Sequence, residues 1–410
     1  MEKRVVISGL GIVSPIGNKV DEAYQNAIDG KSGITYVDAF DTSDLKVKIG
    51  ATIKDFDPSK YLSKRDIKRQ DLFSQYAVYA ANQAYEDAGL DKYTMNRDDI
   101  GVMMGTGMGG MQTFSKDLYT SFEKGYNRIP PMFIPMIIPN MAAGNVAISL
   151  DAQGHAGCTT TACSAGTNAI GDAFRMIARG DAKVMIAGGS EAGICPHTLA
   201  GFNALSALST CEDPTKASRP FDANRDGFVL GEGCGVLILE ELEHALSRGA
   251  RIYAEIIGYG STCDAYHITA PSGKGAIKAI QKALDDASIE ASDIDYINAH
   301  GTSTPLNDKF ESDAIKEVFK DNAYNVAISS TKSMHGHALG GAGGIEAVLS
   351  IKTIENGVIP PTINFETEDE ECDLNYVPNN AIKKDVKYAM SNSLGFGGHN
   401  AILIFRKYGE

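Results

Sequence analysis

The sequence lacks three features that mark common classes of protein: an apolar run long enough to cross a bilayer, cysteine pairs with zinc-ligand spacing, and an excess of positive charge. The first absence predicts no membrane insertion. The seven cysteines are odd in number and scattered, which favours free thiols over disulfides or a structural metal cluster. A net charge of −14 argues against general nucleic-acid binding, which needs a basic surface.

A targeting segment and flexible linkers are also missing. Residues 1–4 lead at once into the strand-like run VVISGL, so we expect no signal peptide. Together with the free thiols, this predicts a reducing, cytoplasmic location. The 410 residues contain no low-complexity tract, and they are enough for two domains or one large α/β unit.

Short apolar runs alternate along the chain with segments of helical periodicity. Such runs predict buried strands at residues 4–8, 100–104, 183–187, 235–239, 254–258, 294–299, 326–330, 388–392 and 401–405. Helices are predicted at residues 71–88, 166–178, 275–287, 309–319 and 344–354. This alternation is typical of an α/β protein, and it predicts largely parallel sheets that are covered by helices on both faces.

Cys163 lies in the segment TTACSAGTNAI, whose small residues predict a tight turn that enters a helix. At a helix N-terminus a cysteine meets unpaired backbone N–H groups and the positive end of the helix dipole. Both favour thiolate over thiol, which would make Cys163 a nucleophile. A buried, inert cysteine is the alternative, and the rest of the chain decides between the two.

A faint internal repeat divides the chain. The run VVISGLG near the N-terminus is echoed by AEIIGYG at 254–260, and the Gly/Ala-rich helix after Cys163 is echoed by the segment MHGHALGGAGG, which carries His337. We therefore expect two similar α/β halves, 1–250 and 251–410. Such halves would bring two helix N-termini together, one with a thiol and the other with an imidazole.

Three further segments carry side chains suited to chemistry: NAHGTSTPLND with His300, SSTKSMHGH with Lys332 and His337, and SNSLGFGGHN with Phe396. Each residue alone is more often structural than catalytic. With Cys163 they form the set that a carbon–carbon bond-forming acyl transferase requires. A thiolate takes an acyl group from one thioester, and two neutral imidazoles donate hydrogen bonds to the oxygen of a second thioester as it becomes an enolate. Each such donor is worth about 3–4 kcal/mol.

These segments, together with RPFD at 219–222 and DGFVLGEG at 226–233, resemble the β-ketoacyl-acyl-carrier-protein synthases. These are the elongating condensing enzymes of the thiolase-like family, and the likeness is greatest to the synthase II type. It extends from residue 5 to residue 405. The resemblance implies an α/β thiolase-like fold, with two similar α/β halves in a five-layer αβαβα arrangement.

The resemblance also implies a reaction and a role for each residue. The reaction is a decarboxylative Claisen condensation of an acyl chain held on Cys163 with malonyl-acyl carrier protein, which elongates fatty acids by two carbons. His300 and His337 would bind the malonyl thioester carbonyl and promote decarboxylation. Lys332 would support the site, with Glu311 as its expected partner.

Further positions follow from the same resemblance. The backbone N–H groups of Cys163 and Phe396 would form an oxyanion hole, with Phe396 also gating access. The phosphopantetheine arm of the carrier protein would contact Thr302, Thr304, Thr269 and Ser272. The acyl pocket would be lined by Met108, Phe133, Phe202 and Leu394. No organic cofactor or catalytic metal is implied, but a structural Na⁺ or K⁺ would lie near Asn298, Glu346, Ser391 and Asn392.

Two macromolecular partners are implied as well, an acidic acyl carrier protein and a second copy of the chain. The segment SKRDIKR at 63–69 would attract the carrier electrostatically. Its cations are Lys64, Arg65, Lys68 and Arg69, and Lys124 and Arg128 would extend the patch. A solvated helix face is the alternative. The apolar, proline-containing segment 107–145 suits a cap or a homodimer interface.

Three positions depart from the family pattern. Leu394 stands where most relatives carry Phe, His335 where synthase II relatives usually have Thr, and Cys211 near a position often occupied by Arg. A bulky Met108 also predicts a short or medium acyl chain, although methionine refits easily. These departures leave open a ketosynthase of a polyene or polyketide pathway that uses the same chemistry on a different chain.

Other relatives of the fold fit less well. A non-catalytic partner subunit such as a chain-length factor would have lost the active cysteine, which this chain keeps. A thiolase usually relies on a second cysteine late in the chain, and the segment GGHN at 397–400 has none. An initiating synthase would use Cys-His-Asn, whereas both partners here are histidines.

Overall fold

The computed structural model describes residues 2–409. Its strands are β1 (Val5–Val13), β2 (Thr35–Tyr36), β3 (Ile49–Gly50), β4 (Ile100–Gly105), β5 (Ala156–Thr159), β6 (Val184–Glu191), β7 (Gly233–Glu241), β8 (Ala254–Cys263), β9 (Tyr296–Asn298), β10 (Ala327–Ser329), β11 (Val358–Ile359), β12 (Ile382–Lys383), β13 (Tyr388–Gly395) and β14 (His399–Lys407). Its helices are α1 (Val20–Ile28), α2 (Lys64–Ile67), α3 (Leu72–Asp87), α4 (Met111–Lys124), α5 (Phe133–Ile137), α6 (Met141–Leu150), α7 (Ala165–Arg179), α8 (Pro196–Ala204), α9 (Leu242–Ser247), α10 (Lys274–Ala287), α11 (Pro305–Phe319), α12 (Lys332–His335) and α13 (Ala342–Asn356).

The main sheet repeats one pattern of strands twice. Its order is β5-β4-β6-β7-β1 in the first half and β10-β9-β13-β14-β8 in the second, and the halves join where β1 pairs with β8. In each half the first two strand pairs are parallel and the last two are antiparallel. The predicted internal repeat is therefore confirmed, whereas the division at residues 250 and 251 stays a prediction.

The expectation of largely parallel sheets is wrong, because the sheet is mixed. β7 pairs antiparallel with β1 and β6, and β14 pairs antiparallel with β8 and β13. An apolar run predicts a buried strand but not its direction. Only residues 396–398 separate β13 from β14, and a connection this short joins antiparallel neighbours.

Helices form three layers around the strands. α7 and α13 pack against each other and contact strands of both halves, so they form the central layer. α3 covers β1, β6 and β7 of the first half, whereas α10 covers β8 and β14 of the second and packs against α11. This is the predicted five-layer arrangement. No helix within residues 2–409 is long and apolar enough to cross a bilayer.

Small residues bring the N-termini of the two central helices together. A Cβ on Gly166 at the start of α7 would lie 2.8 Å from the Gly340 carbonyl oxygen. A Cβ on Gly343 at the start of α13 would lie 2.1 Å from Thr167 Oγ1. Larger side chains would push the helices apart, so these glycines permit the close approach that brings Cys163 and His337 together.

All of the predicted strands and helices are present, several of them longer than predicted, but the segment 107–145 contains helices that the periodicity missed. The buried side chains of α4 are polar: Thr113, Ser115, Asp117 and Ser121. Aromatic residues on the same helix, such as Phe122, are exposed. This inverted pattern hides the helix from a search for an apolar stripe that faces the core.

Candidate active site

Cys163 lies in a sharp turn between β5 and α7. Ala162 has a φ of +50°, a short 3₁₀ turn covers residues 162–164, and α7 begins at Ala165. The chain of Gly395 crosses this turn so closely that a Cβ on Gly395 would lie 3.2 Å from the Cys163 nitrogen. The predicted position at the N-terminus of a helix is therefore confirmed, and the side chain is also buried.

His300 follows β9 and lies in a turn held by one carboxylate. The backbone N–H groups of His300 and Gly301 each donate to Glu311, at 2.8 Å. His337 lies in the same half and is tied to the first half, because its N–H donates to the Val229 carbonyl at 2.8 Å. The two imidazole rings meet edge to face, with their centroids 5.2 Å apart.

Both imidazoles are neutral. Burial lowers the pKa of His300 and of His337 well below the ordinary value, and the positive charge of Lys332 lowers both further. The Nδ1 atom of each ring is buried without a hydrogen-bond partner among the described residues. A neutral imidazole carries one donor and one acceptor, so each ring can donate to a developing oxyanion or accept a proton.

The expected pairing of Lys332 with Glu311 is wrong. Lys332 forms a fully buried ion pair with Glu346 of α13, and Glu311 instead accepts from the two backbone N–H groups after β9 and from Asn392 Nδ2 at 3.1 Å. Burial raises the pKa of Glu346 to about 7, against the lowering effect of Lys332. Sequence alone places both acids near the site but does not show which helix faces the lysine.

The Cys163 sulfur is a thiol at rest, not the thiolate that a helix N-terminus alone would favour. Burial raises the pKa of Cys163 to about 11. The backbone N–H of Phe396, the charge of Lys332 and the N–H of Cys163 itself lower the pKa, but they do not offset the loss of hydration. Deprotonation must therefore accompany attack on a substrate.

Phe396 sits in the connection between β13 and β14. Its backbone N–H donates toward the Cys163 sulfur, beside the N–H of Cys163 itself. Gly397 and Gly398 follow with φ values of +81° and +74°, which strain other residues. The Gly397 N–H donates to the Ile268 carbonyl at 2.7 Å, which ties this connection to the loop after β8.

A cavity of about 540 Å³ collects most of the predicted site residues. It is lined by Cys163, His300, His337, Phe396, Thr269, Thr302, Thr304, Met108, Phe202 and Leu394. Lys332 lies behind it, next to the imidazoles. Ser272 does not line it and donates its N–H to Asp264 instead. Phe133 does not line it either, because α5 lies at the surface and the ring stacks on Phe114, 6.3 Å away.

The sequence matches two family models, described as Beta-ketoacyl synthase, N-terminal domain, over residues 2–245 and Beta-ketoacyl synthase, C-terminal domain, over residues 253–366. It is 52% identical over 410 residues to a 3-oxoacyl-[acyl-carrier-protein] synthase 2 from Synechocystis sp., with 99% of each chain covered. A protein of the same name from Staphylococcus aureus is 52% identical over 408 residues, again with 99% of each chain covered. The chain belongs to the β-ketoacyl synthase family.

Solved structures of ketosynthases confirm the predicted fold class. A beta-ketoacyl synthase from Burkholderia phymatum has a TM-score of 0.92 at 36% identity, with 99% of each chain covered. The ishigamide ketosynthase/chain length factor has a TM-score of 0.93 at 38% identity and full coverage of both chains. A ketosynthase of a type II polyketide synthase, solved in complex with its acyl-carrier protein, has a TM-score of 0.92 at 37% identity, covering 99% of this chain and all of the other.

The four residues predicted around a monovalent cation in this ketosynthase each have a buried oxygen without a hydrogen-bond partner among the described residues. These atoms are Asn298 Oδ1, Glu346 Oε2, Ser391 Oγ and Asn392 Oδ1. Asn298 and Ser391 are paired across β9 and β13. Buried oxygens without donors are the ligand set that Na⁺ or K⁺ takes, so the residues present fit such an ion.

The predicted docking patch lies on and just after α2. The side chains of Lys64, Arg65, Lys68 and Arg69 are all exposed. Across residues 2–409, the ion pairs of the structure include none of these four, so their charge faces solvent.

Buried carboxylates that shape the site were missed by the sequence analysis. Asp308 accepts from the N–H groups of Thr302 at 3.0 Å and Ser303 at 3.1 Å. It therefore fixes the turn whose threonines are predicted to contact the carrier arm. Glu191, at the end of β6, accepts four hydrogen bonds beside the cavity. The sequence signal for Glu191 is an acid that follows an apolar run after two glycines and a serine, which does not distinguish it from a surface residue.

Proposed function

We propose that the protein is a 3-oxoacyl-[acyl-carrier-protein] synthase that elongates fatty acyl chains by two carbons. The observation that carries the proposal is the convergence of the Cys163 thiol, two neutral imidazoles and the Phe396 N–H on one cavity. The 52% identity to synthases of this name over nearly the whole chain supports the same reaction.

The first half-reaction transfers an acyl chain to Cys163. The sulfur attacks the carbonyl carbon of an acyl thioester, the new S–C bond forms, and the bond to the carrier's sulfur breaks. Because Cys163 is a thiol at rest, its proton must leave as the sulfur attacks. It passes through a neutral imidazole to the departing thiolate of the carrier. The N–H groups of Cys163 and Phe396 face the oxyanion of the tetrahedral intermediate and stabilise it.

The second half-reaction forms the carbon–carbon bond. His300 and His337 donate hydrogen bonds to the thioester oxygen of the malonyl group while its carboxylate leaves as CO₂. The electron pair of the broken bond enters the enolate, whose carbon attacks the acyl thioester on Cys163. The C–S bond to Cys163 breaks, and the sulfur leaves as a thiolate that takes up one proton from solvent through an imidazole. A 3-oxoacyl thioester that is two carbons longer remains on the carrier.

Lys332 has an electrostatic role in this scheme. Its charge lowers the pKa of both imidazoles and so keeps them neutral, and its ion pair with Glu346 holds it in place. A monovalent cation bound by Asn298, Glu346, Ser391 and Asn392 would supply structural charge that fixes Glu346, without a part in bond making. No organic cofactor takes part.

The carrier protein is proposed to dock at the patch on α2 and to deliver its arm past Thr269, Thr302 and Thr304. The solved complex of a related ketosynthase with its acyl-carrier protein supports this kind of partner. The four unpaired cations on and after α2 support an acidic surface on the partner. The free cysteines of the described chain are consistent with the cytoplasm as its location.

A homodimer is part of the proposal. Several large apolar side chains of the segment 107–145 are exposed, including Phe122 at 74%, Tyr126 at 78% and Ile134 at 58%. Exposure of this extent on neighbouring elements marks an interaction surface. In such a dimer Phe133 would reach the acyl cavity of the other copy, which agrees with its position at the surface of its own chain.

The test of this function is a product assay. The protein is incubated with malonyl carrier protein and with carrier proteins that bear saturated chains of different lengths. A 3-oxoacyl product two carbons longer than the primer supports the proposal, and no product from any saturated chain contradicts it. Turnover of polyene chains alone would favour the second candidate, a secondary-metabolite ketosynthase, which the similarity to the ishigamide ketosynthase supports.

A further inference from the structure

Glu191 is fully buried at the end of β6, beside the active site but outside the reaction scheme above. Both of its carboxylate oxygens accept hydrogen bonds. Oε1 accepts from Thr106 Oγ1 at 2.9 Å and from the Met108 N–H at 3.2 Å. Oε2 accepts from the N–H groups of Gly107 at 2.6 Å and Gly340 at 3.1 Å.

These four donors come from two segments that meet at the wall of the cavity. The segment 106–108 follows β4 and presents Met108 to the cavity. Gly340 stands in the turn between His337 and α13. A Cβ on Gly340 would lie 2.2 Å from the Gly107 nitrogen, so the two backbones are in contact. The carboxylate therefore joins the wall of the acyl pocket to the turn that carries an imidazole.

We infer that Glu191 is a positioning residue that fixes Met108 and thereby limits the length of acyl chain that the cavity accepts. The inference rests on the proposed function, because it concerns the chain carried by Cys163. Burial raises the pKa of Glu191 to about 7, and its four hydrogen-bond donors oppose that rise. The ionised form suits this place because it only accepts, and all four partners of Glu191 donate. An amide of the same shape would place an NH₂ group against at least one backbone N–H, and two donors cannot form a hydrogen bond with each other.

The substitution Glu191→Gln tests this directly. An NH₂ group at the position of Oε2 would face the N–H groups of Gly107 and Gly340, so the amide will turn its NH₂ toward Thr106. The Thr106 hydroxyl can rotate to accept, but the Met108 N–H then loses its acceptor. We therefore expect Met108 to move more easily, so that the cavity accepts longer acyl chains.

The measurement is the initial rate of Cys163 acylation by intact-protein mass spectrometry, with one short-chain and one long-chain acyl carrier protein. In Glu191→Gln the long-to-short ratio should rise about tenfold, the change expected from loss of one hydrogen bond to a charged group. Decarboxylation of malonyl carrier protein should change less, because the amide keeps the bond to Gly340 and so the turn of His337. A purely structural role would lower all three rates together.

Two further variants make the test specific. Thr106→Val keeps Glu191 but removes one of its four donors, together with the acceptor of the Gly109 N–H. It should raise the ratio in the same direction by a smaller factor. Glu232→Gln is the matched control, because Glu232 is also a buried carboxylate but accepts from Ile53 N–H at 3.0 Å and Tyr76 Oη at 3.3 Å, away from the cavity. Its variant should lose stability and keep the ratio of the parent.

The outcomes separate the inference from the proposed function. An unchanged ratio in Glu191→Gln, or an equal fall of all three rates, would overturn the inference. If Glu191→Gln does not fold, an unchanged ratio in Thr106→Val is enough by itself to overturn the inference. If the parent protein accepts no acyl chain at all, the proposed function fails instead.

Discussion

At the scale of single residues, the chemistry of the site is decided by burial. The same loss of hydration raises the pKa of the Cys163 thiol to about 11 and lowers the pKa of His300 and His337 well below the ordinary value. The resting site is therefore uncharged at its three reacting groups. The buried charges near them include Glu311, Glu191 and the ion pair of Lys332 with Glu346. Lys332 is the cation that lowers the pKa of both imidazoles, so the residue that holds it in place can be tested.

Loss of Lys332 is expected to leave Glu346 as an unpaired buried charge. The variant Lys332→Met should destabilise the protein by about 3–5 kcal/mol, the usual cost of breaking a buried ion pair. The added substitution Glu346→Gln should recover part of this loss, because it removes the stranded charge. Urea unfolding of the single and double variants measures both effects.

The matched control for this pair is Lys332→Met/Glu311→Gln. Since Glu311 holds backbone N–H groups and not Lys332, this second double variant should be less stable than Lys332→Met alone. Recovery by Glu311→Gln and not by Glu346→Gln would show that the lysine pairs with the other acid.

His335 predicts a measurable pH dependence of stability. Burial lowers the pKa of His335 to about 3, whereas the unfolded chain has an ordinary histidine. Below about pH 6.5 the unfolded state therefore binds a proton that the folded state does not, and the free energy of unfolding falls as the pH falls. The variant His335→Thr has no imidazole at this position and so lacks this pH dependence. From pH 8 to pH 5.5, the free energy of unfolding should fall by about 1.4 kcal/mol more in the parent than in the variant.

Any change in packing caused by His335→Thr does not depend on pH, so it cancels when the two pH values are compared within each protein. Urea unfolding at both pH values supplies the four numbers. Equal losses in the two proteins would mean that His335 keeps an ordinary pKa in the folded state.

At the scale of elements, the patch on α2 gives a prediction about carrier binding. The double variant Lys68→Glu/Arg69→Glu should raise KM for acyl carrier protein by about tenfold at low salt, with kcat little changed, because rim charges act mainly on encounter. A small pantetheine thioester that lacks the protein part should react at the rate of the parent. Steady-state kinetics with both substrates tests this.

The control is a charge reversal on another face, Lys278→Glu/Lys282→Glu on α10, where both side chains are exposed. It changes the net charge by the same amount. If both double variants raise KM equally, the effect belongs to the net charge of −14 and not to the patch.

Elements also show how far sequence reasoning reached. The helices with an apolar stripe, such as α3 and α10, were predicted because their apolar residues face the core. α4 was missed because its buried face is polar and its aromatic side chains are exposed. Strand direction was wrong because an apolar run is the same in parallel and antiparallel pairs.

The candidate site follows the same division. Cys163, His300, His337 and Phe396 were predicted because their turns carry distinctive sequence, and they line one cavity. The partner of Lys332 was wrong and Glu191 was missed, because both depend on which elements face each other in three dimensions. Phe133 was placed in the pocket by resemblance, whereas within one chain it is half-buried outside the cavity and stacks on Phe114.

At the scale of the whole molecule, the exposed aromatic side chains of α4 predict a dimer. Size-exclusion chromatography with light scattering should give twice the chain mass of 43.7 kDa for the parent. The variant Phe122→Asp should shift the protein toward monomer, because it buries a charge in the proposed interface. Tyr36→Asp, on an exposed side chain of β2, is the control and should stay dimeric. A monomeric parent would contradict the proposed interface.

The internal repeat explains why two distant segments meet in one site. Each half begins a central helix at the same place in its own pattern, with Cys163 before α7 and His337 before α13. Because the glycines of both helix starts allow contact, the thiol and the imidazole share one cavity. The central claim is therefore that Cys163 carries the acyl chain while the second half activates the malonyl group.

That claim is tested most directly by mass spectrometry of the Cys163 peptide after incubation with acyl carrier protein and then with malonyl carrier protein. We expect the acyl mass on this peptide in the first step and its loss in the second, as the 3-oxoacyl product forms; Cys163→Ala should show neither while it remains folded. Retained elongation by Cys163→Ala, or an acyl mass on another residue, would contradict the account.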